Sequence, residues 1–214
     1  MTPAEVIAEV RTLVQDERAP YRYSDAVLLR FLNQTVRRMA VLRPDLFTVV
    51  RNFTTTAGNA VQTLPSDAVR LVELYNIVGG DVLTEVNKNT LDQSYPGWRS
   101  APAAQPVNYV RHVRSPTMFF LYPPPADGVV IVAEYAAVPT AYALGDTITA
   151  PSDGYAPMLV DGIVSLSQSI DDEHVSSGRA KLFGDSFAQG MEVSMRMQQL
   201  SDTDSGSLDP KQVV

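Results

Sequence analysis

The chain of 214 residues contains no cysteine and only two histidines. The lack of cysteine excludes disulfide scaffolds, thiolate metal sites and cysteine nucleophiles, and it fits a protein that assembles in a reducing cytoplasm. With only His112 and His174 available, a histidine-based triad or metal centre has few ways to form. The composition therefore disfavours the common classes of hydrolase and metalloenzyme.

Long apolar runs are also lacking. No stretch approaches the roughly 20 continuous apolar residues that a membrane span requires, and the N-terminal residues show no basic region followed by an apolar run. We therefore expect a soluble protein that is not exported and does not bind membranes.

Basic residues are outnumbered, because 17 Lys and Arg stand against 24 Asp and Glu, for a formal net charge of -7. This is opposite to the basic footprint of proteins that grip nucleic acid phosphates. A surface of this sign could still surround DNA without retaining it, since the repulsion lets a polyanion pass.

Motifs that carry chemistry are absent as well. No Gly-x-Ser-x-Gly elbow and no glycine-rich phosphate loop occur. His112 lies in an alternating strand pattern, where we expect it to face solvent or a neighbouring strand. Asp171 and His174 are spaced i, i+3, but two ligands are too few to hold a metal, and this acidic corner is typical of helix capping. We predict no catalytic residue, no metal and no cofactor.

Helical periodicity occupies both ends of the chain, and β-forming residues occupy the middle. Thr2 and Pro3 predict the start of one helix, and Ser24 or Asp25 caps a second helix that ends before Pro44. A final helix carries Phe183, Phe187, Met191 and Met195 at a spacing of four. The fold class is α+β, a helical bundle from N- and C-terminal helix pairs with an inserted antiparallel β module. Its segments are residues 1–45 and 151–200 for the bundle, 46–150 for the module and 201–214 for an extended tail.

Within the module, short runs of Val, Thr, Phe and Tyr lie between turn residues. They predict a hairpin of residues 47–56 with 60–64, a second pair of 69–78 with 82–86, and a short helix over 87–95. Three further strands follow over 107–114, 117–122 and 129–136. Adjacent Phe119 and Phe120 must point to opposite faces of their strand, so we expect one of them to meet a second protein surface.

Two sets of residues are candidates for contacts with other chains. Arg37, Arg38 and Arg43 cluster on the second helix and could face a channel or pair with acids of a neighbouring subunit. The tail has too few apolar residues to fold alone, yet enough to order on a partner as an extended peptide. Its candidate contact residues are Leu208, Asp209, Pro210, Lys211, Val213 and Val214.

Several segments together resemble the head-to-tail adaptor proteins of short-tailed phages. SDAVLLRFLNQTVRRM (24–39) and LRPDLF (42–47) resemble their second helix. The strand passage GNAVQTLP (58–65) with DAVRLVE (67–73), and the later FLYPPP (120–125) and YAAVP (135–139), are similar in the same way. The resemblance covers most of residues 1–200, and its motifs are patterns of packing, not of chemistry.

The resemblance implies a virion structural protein at the head-tail junction, assembled in the host cytoplasm. Such a connector is a homo-oligomeric ring, usually a dodecamer matching the portal, that binds portal protein above and a tail or nozzle protein below. DNA passes through the ring without sequence-specific binding. The adaptors' C-terminal tails commonly reach the portal, so the resemblance makes portal the first candidate partner for residues 201–214.

Two other functions stay open at this level. A tail-associated protein that binds a receptor or carbohydrate would use exposed aromatic residues of the β module. An unrecognised hydrolase would depend on His112 or His174.

Overall fold

A computed structural model describes residues 1–170 and 177–205 of the chain. The fold is α+β, as the sequence predicts. The chain divides into two compact units. A helical unit comprises Met1–Arg43 and the chain from Pro139 onward, and a β unit comprises Pro44–Val138.

The described residues form five α-helices, which in chain order are α1 Pro3–Val14, α2 Asp25–Leu42, α3 Lys88–Ser94, α4 Ala156–Ser167 and α5 Ser177–Ser205. Helix α1 begins with a capping box, because the Thr2 hydroxyl accepts from Glu5 N and the Glu5 carboxylate accepts from Thr2 N at 2.6 Å. Of the residues described, none belongs to a helix both long and apolar enough to cross a membrane.

The two predicted helix pairs pack together in one bundle. Helix α4 contacts α1, α2 and α5, and the apolar stripes of these helices form the core. Phe31 and Phe187 are both buried, as their helical spacing predicts. Along α5, the residues spaced four apart do not all face the core. Phe187 and Met191 are buried, whereas Met195 is exposed.

Helix α2 and helix α4 approach closely at one point. A Cβ built on Gly162 of α4 would lie 2.4 Å from Cγ2 of Thr35 on α2. Thr35 is fully buried. The absence of a side chain at residue 162 therefore permits this contact.

The β unit contains seven strands: β1 Thr48–Thr54, β2 Val61–Thr63, β3 Ala68–Ile77, β4 Thr84–Glu85, β5 Asn108–Arg111, β6 Met118–Tyr122 and β7 Val130–Ala137. They form one sheet of order β1-β7-β3 and a second of order β2-β6-β5-β4. Leu74, Phe119, Ile131 and Tyr135 are among the buried residues that join the two sheets in one core. Phe53 of β1 and Phe119 of β6 meet edge to face, with ring centroids 5.7 Å apart.

The predicted hairpin of residues 47–56 with 60–64 is wrong. Strand β1 pairs with β7, and β2 pairs with β6 in the other sheet. The buried side chain of Gln62 explains the difference. Its amide oxygen accepts from Thr56 N at 2.7 Å and its amide nitrogen donates to Thr56 O at 3.0 Å, so the intervening turn folds onto a side chain instead of closing a strand ladder.

The second predicted pair, residues 69–78 with 82–86, is reduced to a single bridge between Asn76 and Val82. Strand β4 instead pairs in parallel with β5, so the module is not antiparallel throughout. The three later strands and the short helix form as predicted, over Asn108–Arg111, Met118–Tyr122, Val130–Ala137 and Lys88–Ser94.

Phe119 and Phe120 do point to opposite faces, but both are covered by residues of the β unit itself. Phe119 lies in the core between the sheets. Phe120 packs on the opposite face against Trp98, with ring centroids 5.6 Å apart. Residues Leu91 and Trp98, from α3 and the turn after it, cover this second face.

Two boundaries differ from those that the sequence predicts. Residues 139–150 group with the helical unit, because the Asn33 side chain of α2 pairs with the backbone of Tyr142 through bonds of 2.7 and 3.0 Å. Helix α5 also continues to Ser205, five residues into the segment predicted to be an extended tail.

Candidate interaction surfaces

Helix α2 presents one stripe of polar and apolar residues to solvent. Ser24 caps the helix by accepting from Val27 N at 3.4 Å. Since the buried residues of α2 face the bundle, the opposite side is exposed. The stripe on that side, spaced four, three and four residues apart, consists of Arg30, Gln34, Arg37 and Val41. We call these four residues the arginine face.

The charges of this face are not neutralised by neighbouring residues that the structure describes. Over residues 1–170 and 177–205, no carboxylate lies within salt-bridge distance of Arg30 or Arg37. The neighbouring Arg38 is exposed too, and its guanidinium carbon lies 5.7 Å from the centroid of the Phe187 ring. Arg30 and Arg37 therefore carry positive charge that a partner could use.

Arg43 differs from the other two arginines of the predicted set. It is only 3% exposed, and its guanidinium donates a hydrogen bond to Ser194 Oγ of α5. Arg43 thus stabilises the packing of α2 on α5 and presents no charge at the surface of the helical unit.

A shallow groove of about 450 Å³ runs beside the arginine face. It is lined by the apolar residues Ala26, Leu29 and Ala141 and by the polar residues Arg30, Asn33, Gln34 and Arg37. The paired hydrogen bonds between Asn33 and Tyr142 hold the segment that carries Ala141 against α2. The groove is therefore a preformed feature of the helical unit.

Helix α1 exposes a face of opposite charge. Glu5 and Glu9 are spaced i, i+4, and Leu13 follows one turn later, all exposed. We call Glu5, Ala8, Glu9 and Leu13 the acidic face. The Glu5 carboxylate is engaged in the helix cap, whereas no basic group among the residues described lies within salt-bridge distance of Glu9.

A partly buried ionic network fixes the connection between these two helices. The Arg11 guanidinium donates to Asp16 at 2.9 Å, to Asp25 at 2.6 Å and to the carbonyl of Tyr23 at 2.9 Å. Asp16 in turn accepts from the backbone N–H groups of Arg22 and Tyr23. Because the Arg11 guanidinium and the Asp16 carboxylate each make three hydrogen bonds in this network, the corner after α1 holds one geometry.

The β unit places its histidine in a turn. His112 follows β5, and its Nδ1 accepts from the backbone N–H of Arg114 at 3.2 Å and of Ser115 at 3.0 Å. The imidazole also stacks on Phe120, with centroids 5.5 Å apart. The side chain thus shapes the β5–β6 connection, at whose tip Val113 is 87% exposed.

Asp92 organises the cover of the second sheet. Its carboxylate accepts from Lys88 at 2.7 Å, from Trp98 Nε1 at 2.9 Å and from Arg99 at 2.8 Å. The bonds from Lys88 and then Trp98 lower the pKa of Asp92 to about 2. Asp92 therefore couples helix α3 to the turn that carries Trp98.

The remaining sequence candidates lie outside the described residues. These are Asp171 and His174 and the tail residues Leu208, Asp209, Pro210, Lys211, Val213 and Val214. In the part of the chain that the structure describes, no group of three or more His, Asp or Glu side chains is arranged to hold a metal ion.

The arginines of α2 were evident from the sequence, but the acidic face of α1 and the network around Arg11 were missed. The spacing of Glu5 and Glu9 was visible in the sequence. The isolation of Glu9 from basic groups was not, because it depends on Arg11 turning inward to Asp16 and Asp25.

The comparison with known proteins rests on a match that extends over nearly the whole chain, and not on a single site. A search of curated proteins gave no match. A family model described as SU10 adaptor protein matches residues 1–211, which confirms the resemblance to phage head-to-tail adaptors. Because the match includes both the helical unit and the inserted β unit, the chain belongs to the SU10 adaptor protein family.

Proposed function

We propose that this phage adaptor protein is the repeating subunit of a ring that docks beneath the portal, extends the DNA channel and joins it to the tail. The observation that carries the proposal is the family match over residues 1–211, which spans both units. Membership in a family of structural adaptors supports a role in assembly and not in catalysis.

The division into two units supports such a role. Each unit has its own buried core, so each can keep its shape while contacting a different neighbour. The helical unit offers the arginine face, the acidic face and the groove, and the β unit offers the exposed tip around Val113. A connector needs separate surfaces of this kind for its own copies, for portal and for a tail or nozzle protein.

The net charge of -7 suits a protein through which DNA must move. Repulsion between an acidic wall and the phosphates opposes retention of the DNA. Arg37 and Arg38 are the candidates for contacts with the channel or with a neighbouring subunit, since both are exposed on α2.

The net negative charge also affects how the subunits associate. Subunits of like sign repel, so we expect the isolated chain to be monomeric or weakly associated and to close into a dodecamer on the portal in the host cytoplasm. The completed ring is then a component of the virion at the head-tail junction.

The C-terminal segment provides a further contact with portal in this proposal. Leu208, Pro210, Val213 and Val214 supply apolar anchors, and Asp209 and Lys211 supply charges. One such peptide would bind weakly, because ordering it costs about 2 to 5 kcal/mol. A ring of them would hold through multivalency.

The test is to mix the full chain with the portal protein of the same phage and follow the complex by sedimentation and electron microscopy. The proposal predicts a discrete complex with extra density under the portal and the portal's rotational symmetry. A chain that stays unbound, or binds without a ring, would contradict it.

A further inference from the structure

The arginine face and the acidic face are complementary surfaces of one helical unit. Within the described residues, the first carries two positive charges with no acidic partner, and the second carries Glu9 with no basic partner. The protein as a whole has an excess of acidic residues. Two exposed arginines seven residues apart on one stripe therefore form a local positive patch.

We infer that the arginine face of one copy binds the acidic face of α1 in a second copy, and that this contact repeats head to tail. This inference rests on the proposed function, because it names the surfaces through which the ring would close. The two faces are different patches, so the contact is heterologous, which is the kind that generates rings.

The dimensions of the two faces agree. Arg30 and Arg37 are separated by seven residues, or about 10 Å along the helix axis. A single carboxylate placed opposite Gln34, between them, is within reach of both long side chains. Glu9 fits this position better than Glu5, because the Glu5 carboxylate is held in its own helix cap.

Apolar contacts accompany the charges. Leu13 lies one turn after Glu9 on the acidic face and is 37% exposed. The groove beside the arginine face includes Ala26, Leu29 and Ala141 among its lining residues. In the proposed contact, an exposed leucine beside a carboxylate meets apolar lining residues beside two guanidinium groups, so that apolar and charged groups are matched together.

A second copy explains the arginine face better than DNA does. Binding to a phosphate backbone normally uses a wide basic surface. The stripe instead continues from Arg37 into the exposed Val41, and the groove with its apolar lining residues Ala26, Leu29 and Ala141 lies alongside it. An amphipathic acidic helix satisfies the whole of this surface, whereas a polyanion satisfies only the arginines.

The absence of cysteine makes the contact testable by cross-linking of the full chain. Ala8→Cys marks the acidic face and Gln34→Cys marks the arginine face, and neither removes a charge. We expect the mixture of the two variants to form a cross-linked dimer that neither forms alone. A chain carrying both substitutions should form a ladder of higher multimers. The matched control is a mixture of the Gln34→Cys variant with an Ala188→Cys variant. Ala188 lies at an exposed position of α5.

Charge reversal separates direct contact from general attraction. Arg37→Glu or Glu9→Arg alone should lower the cross-linking yield about tenfold or more, because like charges then face each other. The two changes combined in one chain should restore much of the yield. Lys181→Glu, at an exposed site of α5, should have little effect, and circular dichroism melts should show that all variants remain folded.

The inference is overturned if the mixture gives no more product than the control, both in concentrated solution and in assembled rings. A double-cysteine chain that stops at the dimer overturns it too, because the pairing is then two-fold and not head to tail. If Arg37→Glu changes the retention of DNA but not the cross-linking yield, the arginine face is assigned to nucleic acid.

Failure of this inference and failure of the proposed function give different results. A portal-bound ring without this cross-link would leave the proposed function standing, whereas an unmodified chain that does not bind portal would contradict that function instead.

Discussion

Gly162 of α4 lies against Thr35 of α2 so closely that a Cβ on Gly162 would fall 2.4 Å from Thr35 Cγ2. This relationship sets the distance between a helix from the N-terminal pair and one from the C-terminal pair. The bundle that carries the interaction surfaces therefore depends on Gly162, because a residue without a side chain lets α2 and α4 approach this closely.

Replacing Gly162 with Ala should destabilise the protein by about 1 to 3 kcal/mol through overpacking. Helix preference alone would give the opposite sign, since Ala is better than Gly in a helix by about 1 kcal/mol. Chemical denaturation of wild type and variant measures the difference.

Gly190→Ala is the matched control for this change, because a Cβ there would meet only the flexible side chain of Met158 at 3.1 Å. We expect it to be neutral or stabilising. Thr35→Ala should relieve the clash, so that Gly162→Ala costs less in that background. Equal costs in both backgrounds would show that Thr35 is not the obstacle.

Phe187→Ala should cost about 3 to 5 kcal/mol of unfolding free energy, since the side chain is 4% exposed in the bundle. Leu182→Ala on the same helix should stay within about 0.5 kcal/mol, because Leu182 is 65% exposed. Thermal and urea denaturation compare the two variants. Similar losses for both would mean that α5 packs through a different face.

Asp92 predicts an acid-sensitive step in the β unit. Its pKa falls from the usual 3.8 to about 2 in the folded state. A depressed pKa contributes stability that is present above the unfolded value and lost as the pH falls through the folded value. The contribution of Asp92 should therefore disappear between about pH 4 and pH 2.

Fluorescence of Trp98, the single tryptophan, reports this region directly because its indole N–H donates to Asp92. Asp92→Asn should weaken the unit at neutral pH and flatten the loss of stability on acidification. An unchanged acid profile in the variant would show that Asp92 does not cause the acid-sensitive step.

Truncation after Ser205, where α5 ends, should leave the melting temperature unchanged but sharply weaken binding to portal. The reason is that the deleted residues, 206–214, include all of the proposed anchors. Co-sedimentation with portal is the measurement, and a variant that keeps residues 206–214 with Leu208, Val213 and Val214 changed to Ser is the control for length. If the truncated chain binds portal as well as the full chain, the tail is not a portal contact.

The helices were predictable because their information is local. The capping box of Thr2 and Glu5 and the periodicity of α2 lie within a few residues of one another. The packing of the four bundle helices also followed, since neither pair could bury its apolar stripe alone.

Strand pairing was not predictable in the same way. The hairpin expected around Gly58 is replaced by pairs between β1 and β7 and between β2 and β6, which join residues far apart in the chain. The side chain of Gln62 decides the turn, and no propensity rule anticipates a buried glutamine in that role.

For the arginines too, the local position was predictable and the tertiary contacts were not. Their position on α2 could be read from the sequence, but the burial of Arg43 and its hydrogen bond to Ser194, far along the chain on α5, could not. Likewise the cover that Trp98 provides for Phe120 is a tertiary contact, and it removes an apparent binding surface.

Electron microscopy of the particle that contains this chain tests the proposed connector role most directly. We predict that density for the helical and β units forms a ring between portal and tail, with the portal's symmetry and DNA passing through its centre. Density for the chain at a fibre tip or on the capsid surface, or a single copy with no ring, would contradict that role.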